Sequence, residues 1–598
     1  MISLSKLLLK QYSKQLIQSG ERQARQLERQ YRAKHLEYLD VTSEIHKNVK
    51  SQLKNLESRV FEQGLLVKSI KESNNNDKAT EEKLKSAIKA LKKCKSDLSK
   101  KETEILSNFI EPPINTKKFH ISAINQFFFK ESFQKFEFNK GLLDYGPAGI
   151  QLRRNIEDVI QKKIILGSSC GFQSYEVETP SLSPEKVFIN SGHVEKFNDW
   201  VVKNKAGEFI RIDHLLNSQE LQDLTLEQAY EKILDKYPKK KYSSPMTLQL
   251  MYQINSGLGN YYLRPETAQG SILTFNSIYE FNNQKLPFSI YQKGRAFRNE
   301  SSAQSTNLKR MKEFNLFEIQ TFYCSDNDLT FSNNQITEDQ NKSKCLVWTK
   351  DDQMTGILPQ VTFLDPKICQ NSIILHFMNQ VQILIEMLNL SYPKVRFRQH
   401  LDDELAHYSS ECWDLEVQVD NDWLECIGIS DRGIYDCQKH DIKILDNQYP
   451  KIVETSFGLD RLTYAVLIHN FKTRLSDQNR NFFTFPVEIA PFKIGITMAN
   501  NDNKSREKVK DIQGLIQREI GINCRIIQNN SHIGKQYYQL DELGVPFIIT
   551  VDRESFDEGD GSVTIRYRDT LDQKRIGLDR LVSTVNDIVT DKLKFDDL

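Results

Sequence analysis

Three short segments hold residue types that could do chemistry together. RPETAQG at 264–270, AFRNE at 296–300 and ETSFGLDR at 454–461 each set carboxylates beside arginines at what read as strand ends. Carboxylates bind an ammonium group, and guanidinium forks bind phosphate oxygens. A site that holds an amino acid and a triphosphate side by side needs both kinds. Arg298 and Arg461, each flanked by an acid, are the candidate phosphate ligands. An isolated Arg-x-Glu is most often a structural ion pair, but three such elements along one chain favour a shared site. The sequence has no Walker lysine loop and no GxGxxG after a strand, so a nucleotide bound here would not sit in a glycine-rich cradle.

The elements that position such a site must come from several domains, because 598 residues exceed what one hydrophobic core supports. An apolar fraction of 39% and a charged fraction of 27% are those of a globular protein, and no apolar run is long enough to span a bilayer. The nine cysteines are scattered without a CxxC pair, which argues against a zinc ribbon and against a disulfide framework. The formal net charge of +1 hides an asymmetry. Residues 1–110 carry 23 basic against 14 acidic side chains, and the remainder has an excess of eight acids. A basic arm on a mildly acidic body suits a polyanion, although a solvated helical face produces the same bias.

Residues 1–50 form a basic extension. Its first part has no acid before Glu21 and mixes Leu and Ile with Lys6, Lys10 and Lys14, the composition of an organelle-targeting segment or of the first turns of a basic helix. Residues 51–110 are predicted to form a helical hairpin. Leu53, Leu56, Val60, Val67 and Ile70 share one face, and Leu84, Ile88, Leu91 and Leu98 share the other, across a turn at 74–77. Pro112 and Pro113 mark a linker. A long mixed region follows at 115–486, with expected insertions near 217–247 and 324–372. Residues 490–598 alternate strands at 493–498, 524–528, 547–551 and 563–567 with helices, the pattern of a separate α/β domain.

Ordered blocks between residues 141 and 552 resemble a known family. GLLDYGPAGIQLRRNI (141–156), SGHVEKFNDWVV (191–202), YLRPETAQG (262–270), AFRNE (296–300), KEFNLFEIQTF (312–322), AHYSSECWDLEV (406–417), WLECIGISDRGIYD (423–436), ETSFGLDR (454–461) and IGKQYYQLDELGVPFIITVD (533–552) are similar to those of eukaryotic and archaeal-type glycyl-tRNA synthetases, class II aminoacyl-tRNA synthetases. The resemblance implies an α+β fold. Its parts would be a class II core of mostly antiparallel sheet with flanking helices, the N-terminal helical hairpin, which is similar to a tRNA-binding appendix, and a C-terminal anticodon-binding domain. It also implies a homodimer formed around 174–184.

The resemblance further implies ATP-dependent formation of glycyl-adenylate and transfer of glycine to tRNA(Gly). Arg298 would clamp the α-phosphate and substrate carboxylate, Glu300 would read the adenine amino group, Phe314 would stack on adenine, and Arg461 would lie over adenine and the γ-phosphate. Glu266, Glu318, Glu454 and Ser456 would surround the glycine ammonium. Such an acidic pocket makes physical sense, because glycine offers no side chain to grip. Glu425 is the candidate Mg²⁺ ligand, since one carboxylate with phosphate oxygens suffices for that ion; the alternative is a paired strand carboxylate.

The sequence departs from the family pattern in the loop after AFRNE, which is one residue longer and has Gln304 and Lys312 where arginines are expected, and at Thr455 in place of proline. Arg to Lys keeps a charge and loses the bidentate fork. In the last domain Gln536 and Tyr538 replace smaller or basic residues. These departures keep a second function open: a synthetase-derived structural or accessory subunit of a larger assembly, with residues 1–50 as an arm for a protein partner. The basic N-terminus allows a mitochondrial location, a cytoplasmic one, or both.

Overall fold

The computed structural model describes residues 58–70, 83–91 and 93–94, then 116–598 except 137–138, 168–171, 206, 208, 217, 222–223, 258, 301–306, 325–344, 391–393, 420–421, 446, 475–476, 530 and 557–559. By contacts the chain divides into residues 1–115 with 342–344, and the rest. In the first unit, 58–70 and 83–91 are helical, inside the two segments whose apolar spacing predicts helices. The proposed turn at 74–77, the basic extension at 1–50 and Gln304 lie outside the described residues.

The second unit is built on a nine-stranded sheet. Its strands in chain order are β1 (Gln173–Glu176), β2 (Phe288–Phe297), β3 (Glu313–Tyr323), β4 (Cys345–Trp348), β5 (Gln360–Thr362), β6 (Val395–Gln399), β7 (Glu411–Val419), β8 (Asp422–Gly433) and β9 (Lys451–Gly458). They lie in the order β5-β4-β6-β7-β8-β9-β3-β2-β1. Among the described residues of this sheet only β1 with β2 and β4 with β6 run parallel, so the middle of the sheet is antiparallel. That agrees with a mixed α+β core.

Strands β4 and β5 depart from the expected insertion at 324–372: they pair into the sheet's edge. Their signal is faint because each has only three or four residues. The stretch around 217–247 is part of a small unit in which the strands Asn198–Lys203, Phe209–Arg211 and Met246–Gln249 pair. The helix Leu226–Lys236 covers them, starting from a Thr225–Gln228 capping box. Val202, Ile212, Leu216, Ala229 and Ile233 form its core.

Period-two alternation sorts the central strands into two faces. Phe317 pairs with Phe457 and Phe457 with Ile427, while Ile319 pairs with Thr455 and Thr455 with Ile429. All of these are buried. The opposite face carries the polar residues considered below. Helices α1 (Pro147–Ile160), α2 (Ala268–Leu273), α3 (Ser372–Met387), α4 (Tyr435–Lys439) and α5 (Leu459–Asn470) complete the core. Helix α3 is buried nearly all round, with His376, Asn379, Gln380 and Gln382 among its buried residues. The Asn371 side chain caps it, accepting from the N–H groups of Ile373 and Ile374 at 3.0 and 3.3 Å. Helix α5 packs on α1 and on strands β3, β7, β8 and β9. It then passes directly into the hairpin β10 (Phe471–Arg474) and β11 (Asp477–Phe483).

After Pro491 a second sheet begins: β12 (Ile494–Met498), β13 (Cys524–Ile526), β14 (Phe547–Val551), β15 (Ser562–Tyr567) and β16 (Gln573–Gly577), in the order β13-β12-β14-β15-β16. The expected strands are all present, and β16 is an additional edge strand. Helices α6 (Asn503–Ile520), α7 (Ile533–Glu542) and α8 (Leu581–Val589) accompany it. Val509, Ile512 and Ile516 of α6 and Leu581, Val585 and Ile588 of α8 close its core against Ile494, Ile496 and Ile549.

Candidate active site

Two antiparallel registers assemble the site. Glu318 on β3 lies opposite Ser456 on β9, which lies opposite Gly428 on β8. One row further on, Gln320, Glu454 and Ser430 are aligned in the same way. Adjacent strands therefore present Glu318, Ser456 and Glu454 on one face, with a bare glycine beside them. The Ser456 hydroxyl donates to Glu318 Oε1 at 2.9 Å. The N–H and the hydroxyl of Thr267 donate to Glu318 Oε2 at 2.7 and 2.5 Å.

Arg298 follows β2, where its N–H donates to the Lys312 carbonyl at 2.9 Å. Its guanidinium lies between the rings of Phe197 and Phe314, 5.2 and 5.3 Å from their centroids, and Nε donates to the Pro265 carbonyl at 3.2 Å. Arg461, in the first turn of α5, donates from Nε to the Lys309 carbonyl at 3.0 Å and from Nη1 to the Glu425 carbonyl at 3.2 Å. Its Nη1 is 3.3 Å from the Glu425 carboxylate. Asp460 beside it accepts from the Asn315 N–H and the Tyr145 hydroxyl, both at 2.5 Å. That pair ties the start of α5 to β3 and to the segment at 141–156.

Arg298, Glu300, Phe314, Glu318, Glu425, Ser456 and Arg461 line one cavity, together with Arg310. Glu266 and Glu454 are buried beside it rather than on its wall. Arg264 serves differently. It braces the site by donating to the carbonyls of Arg295 and Thr179, each at 2.8 Å. This close approach requires glycine at 294, where a Cβ would lie 2.1 Å from the Arg264 guanidinium.

Arg432 organises the buried acids and was missing from the residues singled out by sequence. Fully buried, it donates from Nε to Asp436 at 2.7 Å, from Nη2 to the same carboxylate at 3.1 Å, and from Nη1 to Glu454 at 3.0 Å. Its Nη2 lies 3.5 Å from Glu266, and its guanidinium stacks 3.8 Å over the ring of Tyr408. Gln269 donates to Asp436 at 2.8 Å and to Glu266 at 3.3 Å, and His193 Nε2 lies 3.4 Å from Glu266. The signal for Arg432 was the run Gly428, Ser430, Arg432 in period two, with Asp436 four residues on. It is obscured by a bulge between Asp431 and Gly433.

The environment drives the three acids apart. Burial pushes Glu266 up, but its contacts with His193 and Arg432 outweigh that and hold the carboxyl below the usual range. Glu318 is raised by burial and by the charge of Glu266, against hydrogen bonds from Thr267 and Ser456. Glu454 is pushed up to about 8, by burial first; Arg432 opposes the rise, and the charges of Glu318 and Glu266 add to it. A cationic group entering here meets one ionised acid and others ready to ionise.

The cavity's other end is more open. The Glu425 side chain is 55% exposed, and Arg461 and Arg298 lower its carboxyl more than burial raises it. An ionised carboxylate facing two arginines is a hard oxygen donor fit for Mg²⁺ shared with phosphate oxygens. Glu300 Oε2 is buried and has no hydrogen-bond partner among the described residues, and the Arg310 Nε stands 3.9 Å away. A buried acceptor of this kind suits an N–H donor on a ligand. Of the departures, Thr455 is buried among apolar residues on the face away from the cavity, and its hydroxyl has no partner among the described residues.

Comparison with known proteins agrees with this geometry. The family model described as an anticodon binding domain matches residues 493–588. The chain is 28% identical to the glycine–tRNA ligase of Bombyx mori, over 91% of this chain and 89% of that one. It is 27% identical to the mitochondrial glycine–tRNA ligase 1 of Saccharomyces cerevisiae, over 80% and 91%. Among solved structures, a prolyl-tRNA synthetase from Giardia lamblia in complex with prolyl-adenylate is 14% identical, covers 80% of each chain and has a TM-score of 0.49. Long relatives of one kind, a C-terminal domain match and the motif residues gathered at one cavity together support a class II glycyl-tRNA synthetase.

Proposed function

We propose that this protein is a glycine–tRNA ligase that forms glycyl-adenylate from glycine and ATP and transfers glycine to the 3′ end of tRNA(Gly). The observation that carries the reading is the convergence of Glu266, Glu318, Glu454 and Ser456 beside a cavity walled by Arg298 and Arg461. Glycine's ammonium binds among the acids. Its carboxylate faces Arg298, where the α-phosphorus of ATP is attacked in line as pyrophosphate leaves. Phe314 stacks on the adenine, and Glu300 Oε2 accepts from its amino group. Arg461 neutralises the far phosphates. Glu425 would hold Mg²⁺, which when bound supplies charge neutralisation on the phosphate oxygens. Larger amino acids are refused by volume, because the pocket floor is bonded from several strands.

The reading extends to the rest of the chain. Residues 490–598 bind the anticodon stem, and 51–110 form a basic tRNA-binding appendix. A homodimer forms through the region around 174–184, where Leu182 is exposed. Among the described residues no helix is long and apolar enough to cross a membrane. We assign the protein to the mitochondrion, the cytoplasm or both. The accessory-subunit reading is disfavoured by the buried acids, since a scaffold would keep several charges out of water with no return in binding. Glycine-dependent ATP–pyrophosphate exchange by the purified chain tests the proposal. Exchange that requires glycine is expected, and folded protein without exchange would overturn the ligase reading.

A further inference from the structure

The α/β part after Pro491 meets the core at an acidic corner, the C-terminal end of α7. Asp541, 4% exposed, accepts two hydrogen bonds from Arg566 on β15, at 2.8 and 2.9 Å, and one from Arg474 Nη2, at 2.9 Å. Both arginines are buried. The same Nη2 of Arg474 donates to the carbonyl of Arg568 at 2.7 Å. The next residue, Glu542, accepts from Gln126 at 2.9 Å and from the Ser122 hydroxyl, on the core helix Thr116–Asn125. One turn of α7 thus grips the core through Asp541 and Glu542, while Arg566 ties it to its own sheet.

The core-side partner is well placed to matter. Arg474 closes β10, which continues without a break from α5, and α5 begins two residues before Arg461 at the cavity. The 12 residues of α5 make a rigid spacer of about 18 Å between the cavity end and the start of β10, the strand that Arg474 closes. Apolar packing alone tolerates sliding between surfaces. A carboxylate shared by two guanidinium groups fixes direction and distance, even though a buried ion pair adds little net stability over an apolar filling.

We propose that Asp541 is a positioning residue for tRNA. By holding Arg474 and Arg566 together it sets the β12–β16 part at one orientation to the cavity, so that a tRNA bound there delivers its 3′ end to the adenylate. The inference rests on the ligase reading of the site. It separates two half-reactions, because adenylate formation needs only the core and charging needs both parts in register.

The test uses the full chain with Asp541→Asn, and with Arg474→Gln, which leaves the Asp541–Arg566 pair intact. Glycine-dependent pyrophosphate exchange is expected within about twofold of the wild type, while the KM for tRNA in aminoacylation rises at least about tenfold. Arg474→Lys, which keeps a charge facing Asp541, is expected to fall between. An unchanged tRNA KM in a variant with normal exchange would overturn the proposal. Parallel loss of exchange and charging would also overturn it, making the contact part of the core's own fold. A wild type without any exchange would instead sink the ligase reading, which keeps the two failures apart.

Discussion

The two ends of the site handle charge in opposite ways. At the proposed amino-acid end, Glu266, Glu318 and Glu454 are buried and bonded to protein partners, and Arg432 is the cation shared by Glu266 and Glu454. At the nucleotide end, Arg461 and Glu425 are 29% and 55% exposed, and Arg461 leans on two backbone carbonyls. Glu300 has a buried oxygen with no hydrogen bond among the described residues. The acid pocket is prepaid and rigid, which suits a ligand with almost no surface of its own. The nucleotide end has polar valence to spare, which suits a large ligand that brings its own charges.

If that contrast holds, changes in the acid pocket should cost stability and changes at the nucleotide end should cost binding alone. Arg432→Met leaves Asp436, Glu454 and Glu266 without their shared cation and is expected to lose about 3–5 kcal/mol of stability in denaturant unfolding. A loss under about 1 kcal/mol would mean that the acids do not depend on Arg432. Arg461→Lys loses the fork and should raise the KM for ATP about tenfold in pyrophosphate exchange, with stability changed by less than about 1 kcal/mol. Equal damage to stability would erase the contrast.

A smaller effect concerns protons. Glu454 is raised to about 8, so it is largely protonated at neutral pH, and an ammonium ligand needs it ionised. The KM for glycine should therefore fall as pH rises from 7 through about 8, until glycine's own amino group deprotonates. A flat profile over that range would contradict the assigned environment. The smallest effect lies outside both ends. Thr455→Val removes a buried hydroxyl that has no partner among the described residues and is expected to add about 1 kcal/mol of stability without changing either KM.

What the sequence made legible follows from where information sits along the chain. Arg298, Glu300 and Arg461 stand in short segments at strand ends and Glu318 lies within β3, and strand pairing brings them to one cavity with Glu454 buried beside it. The second sheet was legible because its strands are apolar runs cut by helices. Arg432 was not: its partners Glu266 and Glu454 are distant in sequence, and a β-bulge breaks the alternation that would have aligned it. Arg264 stands in the RPETAQG segment without an assigned role and proves to be a brace, because its role depends on the absence of a side chain at Gly294. Strands β4 and β5 were too short to show a period. Thr455 read as a possible weakness of the site, yet the parity of β9 turns it away from the cavity.

The most direct test of the central claim, that the acid pocket reads glycine's ammonium group, is steady-state pyrophosphate exchange by Glu454→Gln with glycine and ATP varied separately. The KM for glycine should rise at least about tenfold and lose its dependence on pH near neutrality, while the KM for ATP stays within about twofold of the wild type. Equal shifts in both constants, or a glycine KM left unchanged, would contradict the assignment.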